Sequence, residues 1–165
     1  TRETLLRGFV AGFDLQGLPD PIIKLPTLLN ERVIGTQSTI HGDLNVENIL
    51  VGPGNFLWLI DFAQTRDGHT LFDFAHLEAE IIAHVLAPSL KQPVDILAIL
   101  KPNSLHSLLS TLHGITSRCL FNPNQPREYQ LALTLACLGA LKFTNLNLTQ
   151  KHVLYLAAAY WGSSL

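Results

Sequence analysis

His41-Gly42-Asp43-Leu44-Asn45-Val46-Glu47-Asn48-Ile49-Leu50, followed by Leu59-Ile60-Asp61-Phe62, decides how this chain is read. The first run sets Asp43 and Asn48 five residues apart, and the second closes an apolar segment with another acid. Ile49 to Val51 and Phe56 to Ile60 have the length and composition of strands, and Gly52-Pro53-Gly54-Asn55 between them is a turn-forming tetrapeptide. A small hairpin therefore brings the two acids and the amide toward one end of itself.

Outward from that hairpin the pattern is helical. Leu5, Leu6, Phe9, Val10 and Phe13 predict a helix over about residues 2 to 14. From Gly17 to Gln37, Pro19, Pro21 and Pro26 predict an irregular connector, with at most a helical turn in Leu28 to Val33. Phe74, Leu77, Ile81, Ile82, Val85 and Leu86 give an amphipathic helix ending near Pro88, and a shorter one follows Pro93 through Leu100. Ser104 is the expected cap of a helix carrying Leu105, Leu108, Leu109, Leu112, Ile115, Cys119 and Leu120. Tyr129 to Phe143 is apolar around most of its circumference and belongs at the centre. Thr149 is the expected cap of a last helix with Val153, Leu154, Ala157, Tyr160 and Trp161. The fold class is thus α+β, mainly α, in a single domain over residues 1–165.

Composition narrows the function classes. With 165 residues, 47% of them hydrophobic, the chain can fill a sizeable core. Lys and Arg number 11 against 13 acids, which leaves no electrostatic case for nucleic acid or an anionic membrane surface. The longest apolar stretch, Leu131 to Leu141, is broken by Thr134 and falls short of the roughly 20 residues that cross a bilayer. Cys119 and Cys137 form no C-x-x-C pair, so buried reduced thiols in a soluble, cytoplasmic protein are expected. The chain begins at Thr1 and has no methionine, which reads as a piece of something longer.

Phosphoryl transfer from a nucleotide needs a carboxylate to position the attacking hydroxyl and oxygen ligands to hold magnesium against the phosphates. Asp43 and Asn48 have the H-x-D-x-x-x-x-N spacing that lets an acid face the acceptor while an amide turns toward the metal. Asp61 supplies a second acid at the end of the hairpin. Magnesium takes one or two carboxylates plus substrate phosphates, so this donor set is chemically sufficient.

These motifs, with the later Gly68 and Asp73-Phe74-Ala75, resemble the aminoglycoside phosphotransferase and choline kinase branch of the protein-kinase-like fold, and Gly42 in place of the protein kinases' arginine points to that branch. The chain also resembles the bacterial kinase-like modules called ternary complex associated domains. The resemblance implies a C-terminal lobe: a helical bundle whose small hairpin carries the catalytic and metal-binding loops. It implies Asp43 as catalytic base or hydroxyl-orienting acid, Asn48 and Asp61 as magnesium ligands, His41 as organiser of the loop, and Asp73 as its anchor from the following helix. Asn45 stands where protein kinases carry a phosphate-contacting lysine and is the candidate for a phosphate or substrate contact.

The expected function is magnesium-dependent transfer of the γ-phosphoryl group of ATP to a hydroxyl acceptor, either a small molecule or a protein. The alternative is a weakly active or inactive kinase-like interaction module of a larger signalling or defence protein. No Gly-rich phosphate loop precedes His41, and Lys24 is the only lysine before it, so the nucleotide-binding N-terminal lobe is expected to come from elsewhere in a parent chain. Glu128 is the one acid after Asp95, which argues against a polycationic acceptor and leaves Glu78 and Glu80 as helix acids that could serve one. His76 with His84, and His106 with His113, could share helix faces, and hydrogen-bonded or solvated roles are expected of them. Trp58 and Trp161 are expected in packing, and Arg66, Asp67 and His69 in a flexible loop.

Overall fold

The chain is described over residues 1–165 in a computed structural model. Helices α1 (Arg2–Phe9) and α2 (Pro21–Asn30) precede four short strands, β1 (Gln37–Ile40), β2 (Ile49–Val51), β3 (Leu57–Leu59) and β4 (Arg66–His69). Then come α3 (Phe72–Glu80), which runs on as a wider π turn through Leu86, α4 (Ile96–Ile99), α5 (Ser107–Thr116), α6 (Arg127–Ala140) and α7 (Leu148–Gly162). The architecture is α+β and mainly α, as the sequence pattern predicts.

The centre is shared by α6 and α7. Leu133, Cys137, Leu138 and Leu141 are buried on one side, and every residue from Val153 to Ala159 is buried on the other. A helix apolar around its whole girth is stable only when covered on several sides. Here α6, α4 and the π turn after α3 supply the cover, and Ala157 to Ala159 let them approach closely.

Several expectations are corrected. The first helix stops at Phe9, because Val10 leaves helical geometry and Gly12 takes φ +80°. The expected Pro-rich connector contains α2: Asp20 accepts the Ile22 N–H at 2.8 Å, and Pro21 sits at the first helical position, where its missing N–H costs nothing. Pro26 lies inside this helix, while Ile22, Leu25 and Leu28 bury its apolar face. Lys24 does not sit on a loose connector; its Nζ donates to the Gly162 carbonyl at 3.0 Å and ties α2 to the end of α7. His106 caps α5 in place of Ser104, its Nδ1 accepting the Leu108 N–H at 3.3 Å. The Ser104 hydroxyl instead donates to the Ala98 carbonyl. Asn147, not Thr149, caps α7 through a reciprocal pair in which Asn147 and Gln150 each accept the other's backbone N–H at 2.9 Å.

The strands form two separate two-stranded antiparallel sheets. In one, β2 and β3 pair Ile49 with Leu59 and Leu50 with Trp58, the expected hairpin. In the other, β1 pairs with β4, joining Ile40 to Arg66 and Gln37 to His69. Arg66, Asp67 and His69 therefore belong to a strand and not to a loose loop. This second ladder carries the chain into His41 from one side and toward α3 on the other.

Candidate functional site

The site is built where three backbone segments are stitched together. After β1 the chain turns at Gly42, whose φ of +84° lies in the left-handed region and whose missing side chain leaves room for the Gln64 carbonyl and the Arg66 guanidinium. Asp73, in the first turn of α3, accepts the His41 N–H at 2.6 Å and the Gly42 N–H at 2.9 Å with its two carboxylate oxygens. The buried His41 ring donates from Nε2 to the Ile60 carbonyl at 2.8 Å and lies 4.9 Å from the Phe62 ring. Helix, loop and hairpin end are thereby braced through one histidine and one carboxylate.

The loop from Asp43 to Asn48 is held from within. Asn45 Oδ1 accepts the N–H groups of Glu47 and Asn48, each at 3.0 Å, capping a single 3₁₀ turn. Asn48 Nδ2 donates to the Asp43 carbonyl at 2.9 Å, which leaves Asn48 Oδ1 free of any protein donor. The Ile60 N–H donates to the Asn48 carbonyl at 3.1 Å, which puts Asn48 and Asp61 at the same end of the hairpin, Asn48 buried and Asp61 exposed. Asp61 takes φ 60° and ψ 64°, a conformation that a non-glycine residue adopts at a cost, and its carboxylate is exposed with one long contact to the Ala63 N–H at 3.5 Å.

The Asp43 side chain is exposed and faces a cleft of about 250 Å³. Asn45 and Glu47 line it from the loop, His76, Glu80 and His84 from α3 and its continuation, and Phe143 and Asn145 from beyond α6. Asn48 and Asp61 do not line this cleft, and Asn48 is buried. Asp43 thus stands between two territories, the cleft on the α3 side and the hairpin end that carries Asn48 and Asp61. Burial lowers the pKa of His76 below the ordinary histidine range, against the pull of Asp43 and Asp73, so the ring is held toward its neutral form. Burial raises the Glu80 carboxyl; His84 opposes the shift, and the charges of Glu47 and Asp43 add to it.

The helix acids separate into two roles. Glu78 is fully buried and accepts the Tyr129 hydroxyl at 2.6 Å and His113 Nε2 at 2.9 Å, so it is a structural tie between α3, α5 and α6. Glu80 alone of the two reaches the cleft. His76, Glu80 and His84 follow one another at intervals of four along one helical face, the spacing that could have marked them as a group. Nowhere do three His, Cys, Asp or Glu side chains gather closely enough to hold a metal by themselves.

The family model of the ternary complex associated domain 9 matches residues 2–141, a span that contains the braced loop, the hairpin and the cleft acids. The chain belongs to that family. The match is to this family, with none to the aminoglycoside phosphotransferases or choline kinases, and no curated protein and no solved structure matches the chain. No helix is long and apolar enough to cross a membrane.

Proposed function

We propose that this chain forms one half of a phosphotransferase site that passes the γ-phosphoryl group of ATP to a hydroxyl acceptor. The observation that carries the reading is the bracing of the loop: Asp73 accepts the His41 and Gly42 N–H groups, the His41 ring donates to the Ile60 carbonyl, and the Asn48 amide donates to the Asp43 carbonyl. Such a loop fixes the backbone at Asp43 and so sets its exposed carboxylate beside a cleft, the placement that orienting a nucleophile requires. Asp43 would accept the hydroxyl proton as the oxygen attacks, and the cleft would seat the acceptor. Asn48 Oδ1 and the Asp61 carboxylate, carried at the same end of the hairpin and without strong protein partners, would be the ligands of a magnesium ion that completes its shell with phosphate and water. That ion would supply charge neutralisation to the phosphates. Nucleotide affinity would come largely from a partner surface placed over the hairpin.

The test is ADP formation by this chain with ATP and magnesium over a panel of hydroxyl compounds, compared with Asp43→Asn. Loss of activity by about 10²-fold or more with nucleotide binding retained is the expected outcome. Magnesium-dependent ADP formation above background that is equal in the two proteins would refute the role of Asp43.

A second reading, an interaction module whose braced loop serves stability, is favoured by the hairpin. Leu50, Val51, Phe56, Leu57, Trp58 and Phe62 all stand exposed, and the run from Asn48 to Ile60 carries no charge. A domain family described by its association with ternary complexes is consistent with such a docking surface. Association through the hairpin in a chain that forms no ADP would select this reading.

A further inference from the structure

Helices α1, α2 and the last turns of α6 do not close on one another. Between them lies a groove of about 410 Å³, walled by Leu5 and Leu6 of α1, Leu25 and Leu29 of α2, and Leu135 and Leu138 of α6. Its size and apolar lining are those of a small-molecule site. Leu5 and Leu29 are 59% and 46% exposed, so part of the wall is apolar surface left to water.

Two further features select the occupant. Arg2 and Lys142 also line the groove, and neither takes part in an ion pair, whereas Arg7 of α1 and Arg127 of α6 are each bonded to carboxylates. Two cations without a carboxylate partner beside an apolar trough, Lys142 lying 5.4 Å over the Phe143 ring, complement a ligand with an anionic head and a hydrocarbon tail. Gly139, inside α6, faces the same space, and a Cβ there would meet nothing within 4 Å. A glycine inside a helix is less favourable than alanine, and here no packing neighbour demands it. Its effect is to keep the trough open. Gly139 and Lys142 also border a smaller hollow, of about 80 Å³, shared with His76, Glu80 and Phe143, so the polar end of the trough is the Lys142 end.

We propose that this groove binds one long-chain carboxylate, its tail along the leucines and its head at Lys142 with Arg2 as the second cation. The site is independent of the phosphotransfer reading.

Calorimetric titration of the chain with dodecanoate, kept below its micelle concentration, tests it. Saturable one-to-one binding is expected, weaker by about tenfold or more in the double variant Arg2→Gln, Lys142→Gln. Gly139→Leu fills the trough, and because it gains helix propensity in open space its thermal midpoint should not fall while binding is lost. Absence of saturable binding, equal affinity for dodecyltrimethylammonium, or unchanged binding by a folded Gly139→Leu protein would overturn the proposal. So would binding to phosphatidylglycerol vesicles without binding to monomeric dodecanoate.

Discussion

The Asp73 carboxylate uses both oxygens on backbone N–H groups and so fixes a loop whose exposed acid lies elsewhere, at Asp43. Hydrogen bonds to an ionised group contribute about 1.5–3 kcal/mol, and Asp73→Asn would both remove the charge and turn an amide donor toward a backbone donor. The variant should lose about that much in urea unfolding, and a loss below about 0.5 kcal/mol would mean the brace is not as drawn. A second acid gives the pH dependence. Burial works against ionisation of Asp20, but the Tyr155 hydroxyl, the Ile22 N–H and Arg7 outweigh it and hold the carboxyl below the usual range. Because the folded pKa is the lower one, the unfolded chain binds more protons as pH falls below about 4. Stability from Asp20 is therefore fully present at neutral pH and lost in acid. Asp20→Asn should be less stable than the parent at pH 7, with the gap in urea midpoints closing below about pH 4; a gap that stays constant would exclude this linkage.

At the scale of elements, the helices that pack as amphipathic cylinders were legible, and their ends were not. The periodicity of Leu105, Leu108, Leu109 and Leu112 locates α5, but which polar residue caps it depends on where the incoming chain runs. The same holds for α7, where Asn147 and Thr149 are both capping residue types and only backbone direction distinguishes them. Asn147→Ala should destabilise by about 1 kcal/mol in thermal or urea unfolding, while Thr149→Ala should change little; the reverse order would contradict the observed cap. The α2 segment was missed because three prolines suggest interruption, yet Pro21 initiates the helix and the buried Ile22, Leu25 and Leu28 reward it for tolerating Pro26. Strand β4 is not legible in the sequence because Arg66-Asp67-Gly68-His69 lacks any apolar alternation, and what fixes it is the ladder to β1 with contacts such as His69 to Glu128 at 2.9 Å.

Across the whole molecule, Asp43, Asn48 and Asp61 stand out in the sequence by their spacing and position, and His41, Asn45 and Asp73 only through the family resemblance. The cleft could not, since it needs Glu47 from the loop, His76, Glu80 and His84 from α3 and its continuation, and Phe143 and Asn145 from beyond α6. Those pieces meet only through tertiary packing. Glu128 shows the same limit from the other side: the lone late acid is buried in structure, accepting the Phe121 N–H at 3.0 Å, while acids of earlier segments surround Asp43. Trp58, expected in packing, lies 6.2 Å from the Phe56 ring but stays half exposed on the uncharged hairpin, a surface suited to the partner that the proposed phosphotransfer would need. The measurement that bears on the proposed site is an amide NMR titration of the nitrogen-labelled chain with a non-hydrolysable ATP analogue, with and without magnesium. Magnesium-dependent shifts at Asp43, Asn48 and Asp61, lost in Asp61→Asn, are expected. Shifts that are absent at these residues, or the same without magnesium, would contradict the phosphotransfer reading.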